Sequence, residues 1–249
     1  MLHSIKKLEH CRILARDAEV GSVADTYFDD DRWVVRYLIV KTSNWRHENP
    51  VLISPYAVKA VDWVTRAITT DLTRKQIEGS PSIDTDRPVS RQHESEYHRY
   101  YGYPEYWPYT TNWAWGAMPV VQPTDEGQAW AARQRTATEV QKERPADAHL
   151  RSSRHVMGYH IEASDAPIGH IEDFLFDEET WAIRYAVVDT RNWLPGDHVL
   201  ISPERIRSVN WAERSVVVDM RREAVRHSPT YDPDRRSLKV SSTSRHTSS

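Results

Sequence analysis

Cysteine is almost missing: Cys11 is the single one in 249 residues. That excludes an intramolecular disulfide and a thiolate metal cluster, and it predicts a cytoplasmic protein. Glycine is scarce at eight residues, and no phosphate cradle of the GxGxxG or GxxxxGK kind occurs. Charge of one sign is not in excess. The net charge of −3 and pI near 6.5 give no global attraction to nucleic acid or to an anionic membrane. No apolar run approaches the roughly 20 residues that cross a bilayer. The opening MLHSIKKLEHCRIL has no apolar h-region and no small-residue cleavage site, so no signal peptide is expected.

What the chain has in quantity is tryptophan, at ten residues, and one long segment used twice. VVRYLIVKTSNWRHENPVLISP (34–55) returns as AIRYAVVDTRNWLPGDHVLISP (182–203). A constant offset relates the copies from about residue 11 to 81, without a gap. It pairs Gly21 with Gly169, Asp25 with Asp173, Trp33 with Trp181, Arg36 with Arg184, Tyr37 with Tyr185 and Trp63 with Trp211. Two copies of so long a unit are two small domains, not a solenoid.

Each copy has a β pattern. CRILARD is a short strand closed by Asp17-Ala18-Glu19. VGSVADTYFD is a second strand, with Gly21 at a bulge or close approach. Asp29–Asp31 make a turn, and a long β-branched and aromatic strand runs over 32–42. VLIS is the next strand, and VKAVDW and AITTD form a last hairpin. LTRKQIEGSP ends the copy as a short helix, in which Thr73 and Gln76 have capping-box spacing. Copy two has Arg221 in place of the threonine. The sum is an all-β fold of two small, partly closed barrels, each with a short C-terminal helix.

The expected domains are residues 1–85 for barrel one and 155–233 for barrel two. An aromatic then polar linker covers 86–154, and a Ser-rich, disordered tail covers 234–249. The linker holds YHRYYGYPEYWPYTTNWAW (97–115), with half of the twelve tyrosines.

Alternation along the long strand places Trp33, Val35, Tyr37 and Ile39 on one face and Val34, Arg36, Leu38 and Val40 on the other. Both are apolar apart from the arginine. A barrel interior takes one face only. The other needs a cover from the short helix, the aromatic linker or the second barrel. We expect the barrels to pair through this face, within one chain or as a homodimer.

The Gly-x-[Val/Ile]-x-Asp element at Gly21–Asp25 and Gly169–Asp173, with RYLIV/RYAVV and the doubled VLISP, resembles the PRC-barrel family. That family includes the cytoplasmic domain of the photosynthetic reaction centre H subunit. It also includes the C-terminal domain of a ribosome-maturation factor and many free-standing bacterial proteins. The resemblance covers both repeats but not the linker or tail. It implies an adaptor fold with structural motifs, no catalytic residues and no cofactor. By analogy alone it offers an RNA-processing or a photosynthetic role.

Several residues are candidates for function. Tyr37, Tyr185, Trp45, Trp193, Tyr101, Tyr103 and Trp107 are candidate interaction residues. Trp45 and Trp193 sit in a Thr-x-Asn-Trp element with Thr42/Thr190 and Asn44/Asn192, which also reads as a turn. Arg36 and Arg184 are expected to form structural ion pairs with Asp25 and Asp173, or with Asp71 and Asp219. The tyrosine-rich segment has too little positive charge around it for base stacking, so intramolecular cover or a protein partner is expected and nucleic acid is not. His93/His98 and His155/His160 lack zincin spacing, and no metal site is expected. Ser54 and Ser202 lack a nucleophile elbow. An enzyme would need a shared polar pocket between the barrels, for which no nucleophile, metal set or phosphate loop is evident. Trp33, Trp45, Trp63, Trp181, Trp193 and Trp211 are expected to be more buried than Trp107, Trp113 and Trp115.

Overall fold

The computed structural model describes residues 1–42, 50–81, 91–105, 150–190 and 198–232. Trp45, Trp193, Asn44, Asn192, Trp107, Trp113, Trp115 and the tail fall outside them. The tryptophan comparison therefore has one side only: Trp181 is buried, and Trp33, Trp63 and Trp211 are half-buried.

The first repeat supplies β1 (Leu2–Ser4), β2 (Arg12–Leu14), β3 (Glu19–Asp29), β4 (Val34–Thr42), β5 (Val51–Ile53), β6 (Val58–Asp62) and β7 (Ala67–Thr70), then the short helix α1 (Arg74–Glu78). Helix α2 (Arg91–Tyr101) follows. The second repeat supplies β8 (Leu150–Ser152), α3 (Ser153–Val156), β9 (His160–Glu162), β10 (Pro167–Asp177), β11 (Ile183–Asp189), β12 (His198–Ile201), β13 (Ile206–Asn210), β14 (Ser215–Val218), α4 (Arg222–Arg226) and β15 (Thr230–Tyr231). The sheets run β5-β4-β3-β2-β7-β6 and β13-β14-β9-β10-β11-β12-β15. Neighbours along both paths are antiparallel except β2–β7 and β9–β14. The fold is all-β, two small barrels with a short helix after each.

Two strands are exchanged. β1 does not join barrel one; it pairs with β10, placing Leu2 opposite Asp177 and Ser4 opposite Leu175. β8 returns the exchange on β3, with Leu150 opposite Asp29 and Ser152 opposite Tyr27. Residues 150–154, assigned to the linker by composition, are thus a strand and helical turn laid on barrel one.

Bulges correct the two-faced picture of the long strand. Tyr27 faces Tyr37 while Phe28 faces Val35, so Arg36 is an extra, unopposed residue. Leu175 facing Tyr185 and Phe176 facing Ile183 makes Arg184 its counterpart. The shift moves Val35 onto the barrel-core side with Leu38 and Val40, and leaves Tyr37 and Ile39 on the outer side. Trp33 and Trp181 precede the strands in left-handed conformation, with φ of 54° and 58°. Trp33 stacks on Phe28 and Trp181 on Phe176. Gly21 and Gly169 do mark close approaches: a Cβ at either would lie 2.0 Å from Lys41 O or 1.9 Å from Asp189 O.

Helix α1 has the expected capping box between Thr73 and Gln76. Arg221 gives α4 no side-chain cap. An acid from the β2–β3 or β9–β10 turn serves at both helices, beside the capping box at α1 and in its place at α4: Asp17 accepts from Arg74 N–H and Asp165 from Arg222 N–H. A single apolar core joins both barrels, bridged where Phe174 meets Phe28 at 5.5 Å and Trp33 at 6.1 Å.

Candidate functional site

The doubled segment builds a joint at which each half repeats the other. Asp25 and Asp173 organise it. The carboxylate of Asp173 accepts from the Ser4 hydroxyl, from Lys6 N–H at 3.2 Å and from Phe174 N–H at 2.7 Å. Asp25 accepts from the Ser152 hydroxyl, from Arg154 N–H at 3.3 Å and from Thr26 N–H at 2.7 Å. Each aspartate therefore ties down the strand that arrives from the other repeat. Burial pushes the Asp173 carboxyl above its ordinary pKa, against the opposing pull of the Ser4 hydroxyl and the Phe174 and Lys6 amides.

The exchanged strands carry a second matched contact. His3 stacks on Trp63 at 4.0 Å and donates from Nε2 to Glu178 at 2.9 Å. At the equivalent place the Arg151 guanidinium lies 4.0 Å over Trp211 and donates from Nε to Asp30 at 2.8 Å. Both are a cation-capable side chain over an indole, anchored by an acid. Between them Val34 bridges Ala182, while Val35 N–H donates to Trp181 O and Ile183 N–H to Trp33 O.

The expected ion pairs are corrected. Arg36 pairs with Asp29 at 3.4 Å, not with Asp25, and Arg184 reaches the Thr180 hydroxyl at 3.5 Å, not Asp173. As bulge residues the arginines point back toward the acidic turn that precedes their strand, while the aspartates face the exchanged strands. Asp71 is held by Lys59 at 3.1 Å.

Tyr37 is also away from the joint. Its outer face of barrel one, with Tyr27, Ile39 and Leu52, is covered by α2 through Tyr97 and Tyr101, and by Tyr103 just past the helix. The aromatic linker is thus the cover, in place of the second barrel. Chain connectivity favours it, because a helix close in sequence closes a short loop. Tyr97 is fully buried and accepts from Ser54 N–H at 2.9 Å, and burial raises its hydroxyl well above the ordinary value. Tyr37 OH meets Glu94 at 3.1 Å and His98 Nε2 at 2.8 Å, all three buried. His98 Nδ1 lies 2.8 Å from Pro104 O, which can only accept, so Nδ1 carries a proton. Tyr101 and Tyr103 stack on each other within the cover, and burial pushes the Tyr101 hydroxyl up to about 12. Tyr185 is half-buried beside Leu175, Val187, Leu200 and Tyr231.

Sequence reasoning saw Asp25 and Asp173 but gave them the wrong partner, and it missed Ser4, His3, Ser152 and Arg151. The signal was present: Ser4 and Ser152 stand at the repeat offset, ahead of the region where identity is dense. Among the described residues, the Glu172, Asp189 and His198 side chains also converge, which no sequence spacing indicated.

A family model described as the PRC-barrel domain matches residues 2–77 and 161–225, more than half of the chain. The chain belongs to the PRC-barrel family and carries two such domains in tandem. No curated protein matches it. No helix among the described residues is long and apolar enough to cross a membrane.

Proposed function

We propose that this tandem PRC-barrel protein is a non-catalytic interaction module, a rigid twin-barrel platform on which a protein partner assembles. The observation that carries this reading is the reciprocal joint. Two strands, two aspartates and two indole stacks are spent on locking the barrels together, and PRC-barrels in general are adaptors. Among the described residues, the hydrogen-bonded group of Tyr37, Glu94 and His98 is buried between α2 and barrel one. Both exchanged strands find their partner strands, β10 and β3, inside one chain, which favours a monomeric platform over a homodimer. A cytoplasmic location and a protein rather than RNA partner fit the chain's single cysteine and balanced charge.

The test is affinity purification of the full chain from its native cell, with and without nuclease. It is repeated with Asp25→Ala plus Asp173→Ala, which opens the joint. We expect a stoichiometric protein partner that survives nuclease and is lost from the double variant while the barrels stay folded. A partner abolished by nuclease supports the RNA reading instead. Recovery of the chain alone, at 29.0 kDa by light scattering, overturns the proposal.

A further inference from the structure

Away from the joint, four metal-ligating side chains gather on barrel two. His170 and Asp189 are direct cross-strand partners on β10 and β11, and Asp189 and His198 are partners on β11 and β12. Cross-strand partners share a face, so the three form a row. Glu172 joins the row because it is the extra residue of the bulge between Ile171 and Asp173, which turns its side chain out of the normal alternation. One ligand atom from each of Glu172, Asp189 and His198 lies within 4.8 Å of the others. His198 Nε2 is 2.5 Å from Glu172 Oε2, and His170 Nε2 is 3.7 Å from Asp189 Oδ2.

Two further observations separate this group from a chance surface cluster. Asp189 is buried, and Glu172 Oε2 is shielded from solvent and turned onto His198 Nε2, so a carboxylate and an imidazole ligand atom already face each other. Lys6 approaches the other oxygen of Glu172, at 3.5 Å. The fold does not demand the group either. The matched positions in barrel one are Ser22, Ala24, Lys41 and Pro50, with a lysine where barrel two has the buried aspartate.

We propose that His170, Glu172, Asp189 and His198 form a divalent-cation site on barrel two, selective for a first-row transition ion of the zinc type. Two imidazole nitrogens with two carboxylate oxygens suit a borderline ion, whereas calcium and magnesium take oxygen sets. Bonds of about 2.0–2.2 Å in a tetrahedron hold ligand atoms roughly 3.3–3.6 Å apart. Glu172, Asp189 and His198 already bring one ligand atom each within 4.8 Å of the others, so side-chain rotation sets three ligands, and His170, beside Asp189 at 3.7 Å, swings in as the fourth. His170, partly exposed, stands on the open side. The bound ion ties β10, β11 and β12 together.

The experiment uses the full chain, stripped with a chelator and titrated with zinc chloride against a chromophoric zinc indicator. Cobalt(II) serves as a spectroscopic substitute. We expect one tight equivalent, tetrahedral cobalt absorption in the visible, and a zinc-dependent rise in Tm. His198→Ala and Asp189→Asn each weaken binding by about tenfold or more and remove the Tm rise, while His155→Ala does neither. His170→Ala and His198→Ala alter partly exposed side chains, so they remain informative if the Asp189 variant misfolds. The proposal is overturned if zinc fails to displace the indicator. It is equally overturned if the tight equivalent persists in both histidine variants, which would place the ion on other histidines.

Discussion

At the scale of the residue, two glycines and one histidine set how the barrels hold. Gly21 and Gly169 let β3 and β10 press against the carbonyls of Lys41 and Asp189. Gly169 also has a φ of 145°, a conformation that L side chains rarely adopt. Gly169→Ala is expected to cost about 3 kcal/mol or more, and Gly21→Ala about 2–3 kcal/mol, because the second meets a clash without the backbone strain. Urea denaturation compares them. His3 is the titrating member of the joint, where the other half has a permanently charged arginine. Burial lowers its pKa below the ordinary 6.5, with Glu178 pulling the other way. The unfolded chain therefore binds a proton more readily than the folded one. The stability contribution is full above about pH 6.5 and falls as pH drops through the lowered folded value. His3→Gln is expected to flatten the part of the stability–pH profile just below pH 6.5. An unchanged slope there would mean that another group titrates.

At the scale of the element, the bulges and α2 decide which faces are used. Simple alternation put Val35 beside Tyr37, but the extra residue Arg36 resets the phase, so one strand serves the core with Val35, Leu38 and Val40 and a second layer with Tyr37 and Ile39. Period-two patterning was legible in the sequence; the bulge was not, since nothing local marks Arg36 as unopposed. The tyrosine-rich run was legible as a cover without its target. Its anchor is Tyr97, whose hydroxyl satisfies the amide of Ser54. Tyr97→Phe is expected to cost about 1–3 kcal/mol, from the buried amide left without a partner. Tyr97→Ala should cost about 3–5 kcal/mol and detach α2. Amide hydrogen exchange over 91–101 reads the detachment directly: protection that survives Tyr97→Ala would show that the remaining tyrosines carry the helix.

At the scale of the whole molecule, the reciprocal joint predicts how a single barrel behaves. Leu2–Ser4 and Leu150–Ser152 occupy matched positions, so β1 of one copy can take the place of β8 on β3 of another, with Ser4 donating to Asp25. Residues 1–105 alone are expected to form a strand-exchanged dimer, measured by light scattering, and Asp25→Ala should shift it toward monomer. In the full chain, Asp25→Ala and Asp173→Ala open one shared joint, so their stability costs are expected to be non-additive in a double-mutant cycle. Strict additivity would mean that the two halves act independently.

The sequence by itself determined the two-barrel architecture. A seventy-residue unit repeated without a gap, with β-branched strands and turn residues at matched places, leaves little else to build. It also determined the capping box of α1, because Thr73 and Gln76 are neighbours along the chain and their bonds are local. Only the tertiary structure decided the partners of Asp25 and Asp173, the exchange of β1 and β8, and the convergence of His170, Glu172, Asp189 and His198. Those contacts join residues far apart in the chain, at positions set by strand register and by single-residue bulges. One extra residue redirects a side chain to a different neighbour, and that geometry exists only after the strands have paired.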